Sequence, residues 1–195
     1  MGRLPHLSAD DHVRAVVLVE GVSDQAAIEA LAARCGRDLA AEGVAVVPIG
    51  GAQAIGRFVD HYGPRGLDVR LAGLCDAAEE RDFQRALERA GLGEHLTRGD
   101  LEELGFYVCD SDLEDELIRA LGAFAVEEVL AANGDLNPFR TFQKQPAWRG
   151  CPAERQLRRF MGSADSRKLR YARLLIEALP LERVPRPLEQ VLAHV

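Results

Sequence analysis

Short apolar runs alternate with amphipathic segments over the first two thirds of the chain. Four of these runs are rich in β-branched or aromatic residues and are too short for helices, which predicts buried β-strands. The predicted strands span residues 15–19, 44–49, 68–75 and 106–109. A segment with helical character follows each of them, at residues 23–34, 52–61, 79–90 and 113–121. Strands and helices that alternate in this way predict an α/β fold whose sheet is mostly parallel and flanked by helices.

The strand pattern ends at Gly122. Beyond this glycine the sequence predicts helices only, at residues 126–132, 152–161, 165–179 and 187–194. We therefore expect two parts. The first is an α/β body at residues 1–122, and the second is a helical C-terminal portion at residues 123–195 that packs on this body. Within the body, Ser23 and Asp24 are the predicted N-cap of the first helix.

Charge divides the chain in a similar way. Its 195 residues carry a net charge of −7. Residues 1–138 hold 26 acidic and 12 basic side chains, a balance of −14, and residues 139–195 hold 5 acidic and 12 basic side chains, a balance of +7. A basic segment on an acidic body suggests a polyanionic partner. The alternative is a basic helix face that only contacts solvent.

Several classes of protein are not supported by the sequence. No apolar run reaches the ~18 residues that a membrane span requires, and the N-terminus has no signal-peptide core. The four cysteines form no C-x-x-C pair, so we interpret them as reduced thiols of a cytoplasmic protein. The sequence also contains no P-loop motif, so no ATPase activity of its own is expected.

Acidic residues follow three of the four predicted strands. Glu20 follows the first strand, Asp76 the third and Asp110 the fourth. The carboxyl ends of parallel strands form one edge of the sheet, so these residues and their acidic neighbours are expected to meet there. Clustered carboxylates repel one another unless a cation neutralises them, and Mg²⁺ or Mn²⁺ prefers oxygen ligands. The alternative is that these acids are N-caps of the helices that follow.

These residues belong to motifs that resemble a known family. The segment LVEGVSD at residues 18–24 resembles the first motif of the Toprim domain, which topoisomerases, primases and related nucleases share. The more specific resemblance is to the C-terminal Toprim half of the overcoming-lysogenization-defect (OLD) nucleases. It is carried by LVEGVSD, PIGGAQAIGRFV at residues 48–59, LCD at 74–76, DLEDEL at 112–117 and the basic helix around residues 167–172. Together these pieces extend from about residue 15 to about residue 180.

The resemblance implies a nuclease that uses two divalent cations, Mg²⁺ or Mn²⁺. Glu20 and Asp24 would bind or orient the first cation together with Asp76, and Glu20 would also act in catalysis. The pair Asp112 and Glu114 would hold the second cation. Lys168 would lie near the scissile phosphate as a second catalytic residue. OLD nucleases couple this domain to an ATPase, so a standalone domain that acts with a separate ATPase is expected here.

One motif departs from the family pattern. The family's DxD motif reads Asp76-Ala77-Ala78, so alanine replaces its second aspartate. Glu79 or Glu80 would then take that place, or the site would bind one metal well, or it would be inactive. The alternative function is therefore a catalytically weak Toprim module that binds nucleic acid or a partner ATPase. A metal-dependent hydrolase of small phosphoesters would share the acidic edge but would not need the basic C-terminal portion.

The basic helices of the C-terminal portion are the predicted surface for DNA. They are expected to contact the phosphate backbone without reading its sequence. The arginines concerned are Arg155, Arg158, Arg159, Arg167 and Arg170. Phe142 and Trp148 lie in the same region, where they stack on unpaired bases or anchor the helices on the body. Anchoring is the more common role for such residues.

Overall fold

A parallel β-sheet lies at the centre of the fold. The computed structural model describes residues 13–195, so the start of the predicted body, residues 1–12, lies outside the described residues. The strands are β1 Ala15–Val19, β2 Val44–Pro48, β3 Arg70–Asp76 and β4 Phe106–Cys109. Their order in the sheet is β2-β1-β3-β4, and all neighbouring strands are parallel. The predicted α/β fold with a parallel sheet is therefore confirmed.

Ten α-helices surround this sheet in the described part of the chain. They are α1 Val22–Arg34, α2 Ile55–Tyr62, α3 Glu80–Arg89, α4 Arg98–Glu103, α5 Leu113–Leu121, α6 Ala123–Ala132, α7 Leu136–Gln143, α8 Ala153–Met161, α9 Asp165–Ala178 and α10 Arg186–His194. Short 3₁₀ helices lie at Ala52–Ala54 and Leu181–Arg183. Across residues 13–195, each helix is too short or too polar to cross a membrane.

The two faces of the sheet bury two separate cores. Successive side chains of β1 point to opposite faces, so Val17 and Val19 lie in one core while Val16 and Leu18 lie in the other. The first core contains apolar residues of α1 and α5–α10, and the second contains those of α2–α4. All five residues of β1 are fully buried, as expected for a central strand with helices on both faces.

The start of α1 differs from the predicted one. Gly21, not Ser23 or Asp24, is the N-cap, and the helix begins at Val22. Asp24 occupies the third position of the helix, and its Oδ2 accepts a hydrogen bond of 2.9 Å from the Gly21 N–H. This contact satisfies one of the free N–H groups at the helix start. The aspartate therefore caps the helix from inside its first turn.

The C-terminal helices share a core with the sheet. Helix α9 packs along α1, and the Arg34 side chain of α1 donates hydrogen bonds to the backbone carbonyls of Ile176 and Leu179. Arg37 donates in the same way to the carbonyls of Leu192 and Val195 at the chain end. These contacts connect residues far apart in sequence. The division into two parts at residue 122 stays a prediction.

Two helices are present that the sequence pattern did not predict. Helix α4 has six residues and only one buried apolar residue, Leu101, so it has no periodic signal. Its one local signal is the Thr97 N-cap, which accepts from the Asp100 N–H while the Asp100 carboxylate accepts from the Thr97 N–H. Helix α7 contains Pro138 as its third residue. Proline is tolerated in the first turn of a helix, where its missing N–H has no helical partner.

Candidate metal and nucleic-acid site

Three carboxylates meet at the C-terminal edge of the sheet. Glu20 follows β1, Asp76 ends β3, and Glu79 precedes α3. One carboxylate oxygen of each lies within 4.8 Å of those of the other two. All three side chains are partly buried. Oxygen atoms at this spacing can share one cation as ligands.

A tight turn after β3 explains why Glu79 joins this group. The Glu79 N–H donates a hydrogen bond of 2.9 Å to the carbonyl of Asp76, so residues 76–79 form a turn. The turn brings the fourth residue back beside the first and leaves Ala78 exposed. Glu80, the other candidate, begins α3 and forms an ion pair of 2.6 Å with Arg98.

The loop after β2 holds the backbone of Glu20. The N–H groups of Gly50 and Gly51 both donate to the Glu20 carbonyl, at 3.0 and 3.3 Å. Both glycines have positive φ, of 76° and 105°, a conformation that other residues rarely adopt. The two glycines therefore hold the backbone of Glu20 in place. A loop that only connected β2 to the next helix would not need these two hydrogen bonds.

Burial and like charge raise the pKa values of two members of this carboxylate cluster, Asp76 and Glu79. Burial, followed by repulsion from Glu20, Asp112, Asp24 and Glu79, raises the pKa of Asp76 to about 8. Burial together with the charge of Glu20 and a hydrogen bond to it raises the pKa of Glu79 to about 7. The Oε2 atom of Glu79 is buried without a hydrogen-bond partner. Both carboxyls are thus held near the point of protonation at neutral pH.

Asp24 lies beside the carboxylate cluster without belonging to it. Its side chain is buried, and one oxygen accepts the N–H of Gly21. Burial raises its pKa, Lys168 and the Gly21 N–H lower it, and Glu20 and Asp112 raise it further. These effects place Asp24 among the charged groups of the site, with one carboxylate oxygen used by the helix cap.

The Asp112 and Glu114 carboxylates are held by basic side chains of the C-terminal helices. Asp112 caps α5, and its Oδ2 accepts from the guanidinium of Arg158 at 2.7 Å. Glu114 is 4% exposed, and its Oε2 lies 3.4 Å from the Lys168 ammonium nitrogen. Its other oxygen is buried without a partner, and burial raises its pKa to about 7. Burial lowers the pKa of Lys168, but Glu114 and Asp24 raise it above its ordinary value.

A cavity of about 380 Å³ opens beside these ion pairs. It is lined by Asp112, Glu114, Trp148, Arg155, Arg158, Arg159, Gly162 and Lys168. Three of the five predicted DNA-binding arginines therefore lie around it. The other two make different contacts: Arg167 lies over the Phe160 ring, and Arg170 forms an ion pair with Asp135. We call this cavity the arginine cavity below.

The raised pKa values predict that stability depends on pH and on divalent cations. The folded protein holds protons on Asp76, Glu79 and Glu114 that the unfolded chain releases near its ordinary pKa of about 4. Stability in EDTA should therefore fall as pH rises from about 4 to about 8, with a loss of several degrees in Tm. Mn²⁺ should restore Tm at about pH 8 and have little effect at about pH 5. Thermal unfolding followed by circular dichroism measures both effects.

Asp76→Asn is the informative variant for this prediction, because asparagine imitates the protonated carboxyl. In EDTA its Tm should fall less with rising pH than that of the wild type. Asp110→Asn is the matched control, since Asp110 also follows a strand but is 69% exposed and contacts Arg119. Identical pH dependence in the wild type and Asp76→Asn would contradict the prediction.

Known proteins share both the local sequence and the whole fold of this chain. Residues 13–77 match the family model described as overcoming lysogenization defect protein-like, TOPRIM domain. The C-terminal region of the OLD protein from Burkholderia pseudomallei is 22% identical with a TM-score of 0.70, and the match covers 93% of this chain and 96% of that region. The same region from Xanthomonas campestris pv. campestris is 25% identical with a TM-score of 0.70, with 94% and 92% covered.

The family model covers β1 to the end of β3 and includes Glu20, Asp24 and Asp76. The structural matches extend the likeness to the C-terminal helices, which hold Lys168 and the arginine cavity. No curated protein matches the sequence. Residues 13–77 thus match the model of an OLD-like Toprim domain, in a chain that has the fold of the C-terminal region of OLD proteins.

Proposed function

We propose that this chain is a metal-dependent nuclease that hydrolyses phosphodiester bonds of DNA. The observation that carries the proposal is the set of Glu20, Asp76 and Glu79 oxygens within 4.8 Å of one another. The arginine cavity, which presents cations to a polyanion, is lined by Asp112, whose charge raises the pKa of Asp76, and by Lys168, whose pKa Asp76 raises. A metal site next to cations for the phosphate backbone is the arrangement that such hydrolysis needs.

The donor set fits a hard divalent cation. All three groups offer carboxylate oxygens, which Mg²⁺ and Mn²⁺ prefer over nitrogen or sulfur. Glu79 Oε2 is buried without a hydrogen-bond partner, which is costly unless another group satisfies it. A cation would satisfy this oxygen and keep Asp76 and Glu79 ionised. In this proposal Glu79 supplies the carboxylate that Ala78 lacks.

The second cation of the proposed pair would bind more weakly than the first. Its ligands, Asp112 and Glu114, already have positive partners in Arg158 and Lys168. A cation would have to displace or share these partners, while at the first site the like charges of neighbouring carboxylates help to raise the pKa values of Asp76 and Glu79. We therefore propose one strong site at Glu20, Asp76 and Glu79, and a second that fills together with the DNA phosphate.

The protein's own residues would orient the substrate and balance its charge. Divalent cations supply a Lewis acid that activates water and stabilises the negative charge that develops on the phosphate. Lys168 uses part of its ammonium on Glu114 and has three N–H donors, so a phosphate oxygen can bind the remaining ones. Arg158 is held by Asp112 and keeps its guanidinium at the same cavity. Glu20, whose backbone carbonyl accepts hydrogen bonds from Gly50 and Gly51, would offer its carboxylate to the first cation beside the reacting phosphate.

Binding to DNA is expected to be non-specific and strongly salt-dependent. Arg155 and Arg159 are exposed at the arginine cavity and are available for phosphates. The double variant Arg155→Ala with Arg159→Ala should weaken binding similarly for all sequences. It should also lower the slope of log K against log salt by up to ~2 units, about one per phosphate contact. Fluorescence anisotropy at several salt concentrations measures this slope.

A double variant elsewhere on the C-terminal helices is the control for that measurement. Arg173→Ala with Arg183→Ala removes the same charge from residues that do not line the arginine cavity. Its salt slope should change clearly less. If both double variants lower the slope equally, the arginines act through net charge alone, and the cavity is not the DNA surface.

Two further parts of the proposal rest on the resemblance and on composition. OLD nucleases join this domain to an ATPase, so a separate ATPase is the proposed partner; purification of tagged protein and ATPase assays of the material bound to it would test this. A cytoplasmic location agrees with four cysteines that form no disulfide in the structure.

Supercoiled plasmid DNA tests the proposed activity. Incubation with Mg²⁺ or Mn²⁺ should convert supercoiled plasmid to nicked and linear forms, as an endonuclease does, and EDTA should prevent it. If the chain binds DNA but cleaves it with neither cation, it is the alternative, a binding module. Cleavage that persists in EDTA would exclude the metal-dependent mechanism.

A further inference from the structure

An aromatic side chain forms one wall of the arginine cavity. Trp148, the only tryptophan of the chain, lines it together with Arg155, Arg158 and Lys168. The indole ring is only partly buried. Its centroid lies 5.1 Å from that of the Phe142 ring, and the Arg155 guanidinium lies over it at 5.9 Å. The tryptophan therefore combines an anchored ring with an accessible position in a cationic cavity.

A buried amide network fixes the turn that carries Trp148. The Gln156 side chain of α8 is buried; its Nε2 donates to the Trp148 carbonyl at 2.7 Å, and its Oε1 accepts from Gln143 at 2.6 Å. The Trp148 N–H donates to the Gln145 carbonyl at 2.9 Å. The ring position is thus set by the fold before any ligand binds, which lowers the entropic cost of stacking on it.

The size and chemistry of the cavity select one form of nucleic acid. Its volume of about 380 Å³ lies in the range of sites that hold small ligands, and it is far too small for a duplex. An indole face stacks on any base, and arginine guanidinium groups both stack on bases and bind phosphates. A paired base cannot reach such a ring without leaving the duplex, which costs free energy that an unpaired base does not lose.

We propose that the arginine cavity binds an unpaired nucleotide, with its base on Trp148 and its phosphate toward Lys168 and Arg158. The exposed Arg155 side chain then moves to accommodate the base. The preferred substrate would be single-stranded DNA or a duplex with an unpaired end, and fully paired duplex would bind less well. This inference rests on the proposed function, since it names the form of DNA that the same site takes.

Trp148 provides its own optical probe. Its fluorescence is measured in EDTA, where the proposed nuclease cannot cleave, during titration with single-stranded oligothymidine or with a blunt-ended duplex of equal length. Single-stranded DNA should quench the emission and bind more tightly than the duplex. Absence of quenching at concentrations where anisotropy shows binding, absence of binding, or equal quenching by both DNAs would overturn the inference.

Variants separate stacking from a structural role of the indole. By anisotropy, Trp148→Ala should weaken binding of single-stranded DNA roughly 5-fold to 100-fold and change binding of the blunt-ended duplex less than about 2-fold. Trp148→Phe keeps an aromatic face and should retain most of the preference. Phe124→Ala is the matched control, because Phe124 is 75% exposed and does not line the cavity. Equal losses for both DNAs in Trp148→Ala would overturn the inference.

These outcomes are independent of the proposed activity. Quenching by single-stranded DNA in a protein that cleaves no plasmid would support the cavity and reject the nuclease. Metal-dependent cleavage without a preference for unpaired DNA would support the nuclease and reject the proposed role of the cavity.

Discussion

Asp76→Asn is expected to reduce plasmid cleavage by at least about 100-fold with either Mg²⁺ or Mn²⁺. Loss of groups that only support a metal ligand already costs 10- to 100-fold, and Asp76 is proposed as a ligand itself. Asparagine keeps the shape of the side chain and removes its charge, so the core under β3 should remain packed. Initial rates of supercoiled plasmid loss, with folding checked by circular dichroism, measure the effect.

Asp110→Asn provides the comparison for this variant. Asp110 follows β4, the neighbour of β3, and removal of its charge changes the net charge by the same amount. Its side chain is 69% exposed and contacts Arg98 and Arg119, and it is not one of the three carboxylates that meet. Its cleavage rate should stay within about 2-fold of the wild type. If Asp76→Asn cleaves as fast as the wild type, the nuclease proposal is wrong.

Glu79→Gln and Glu80→Gln should have opposite outcomes although the residues are adjacent. Glu79 lies in the carboxylate cluster, so its neutralisation should lower cleavage by roughly 10- to 100-fold and raise the cation concentration needed for half-maximal activity. Glu80 pairs with Arg98 near the protein surface, and such an ion pair contributes little to the stability of the fold. Its variant should cleave nearly as well as the wild type.

Ala78→Asp completes this comparison. If no other residue replaced the carboxylate missing at residue 78, a new aspartate there would raise the rate of cleavage. The increase would be larger with Mg²⁺ than with Mn²⁺, because Mg²⁺ depends more on complete oxygen coordination. Ala78 is exposed in the turn and Glu79 already lies in the cluster, so we expect little change. Rescue of Glu79→Gln by Ala78→Asp, with no gain in the wild type, would be the strongest sign that Glu79 serves as the substitute. Equal loss in Glu79→Gln and Glu80→Gln would contradict this role.

The strands and the acidic edge could be predicted because short-range patterns determine them. The strand Ala15–Val19 is buried on both faces, so all of its residues are apolar. Its first and last residues can therefore be read from the sequence. The same pattern predicts where Glu20 and Asp76 lie, since the carboxyl ends of parallel strands are at one edge of the sheet. The third strand begins at Arg70 and not at residue 68, because Asp68 has a φ of 51° and cannot continue a strand.

The choice between Glu79 and Glu80 could not be made from the sequence. It depends on a single turn, in which the Glu79 N–H reaches the Asp76 carbonyl, and either glutamate is compatible with the start of α3. The ion pairs of Asp112 with Arg158 and of Glu114 with Lys168 join residues about fifty positions apart, and packing of α8 and α9 against α5 creates them. Only the folded chain shows that Asp112 and Glu114 form ion pairs with basic side chains and that Glu20, Asp76 and Glu79 meet in a separate group.

Calorimetric titration of Mn²⁺ into the DNA-free protein tests the central claim most directly, because it measures the proposed cation site without relying on cleavage. The wild type and Glu80→Gln should each show saturable binding dominated by one site. Asp76→Asn and Glu79→Gln should bind at least about 10-fold more weakly. Unchanged binding in Asp76→Asn, or no saturable binding to the wild type, would show that Glu20, Asp76 and Glu79 do not form a metal site.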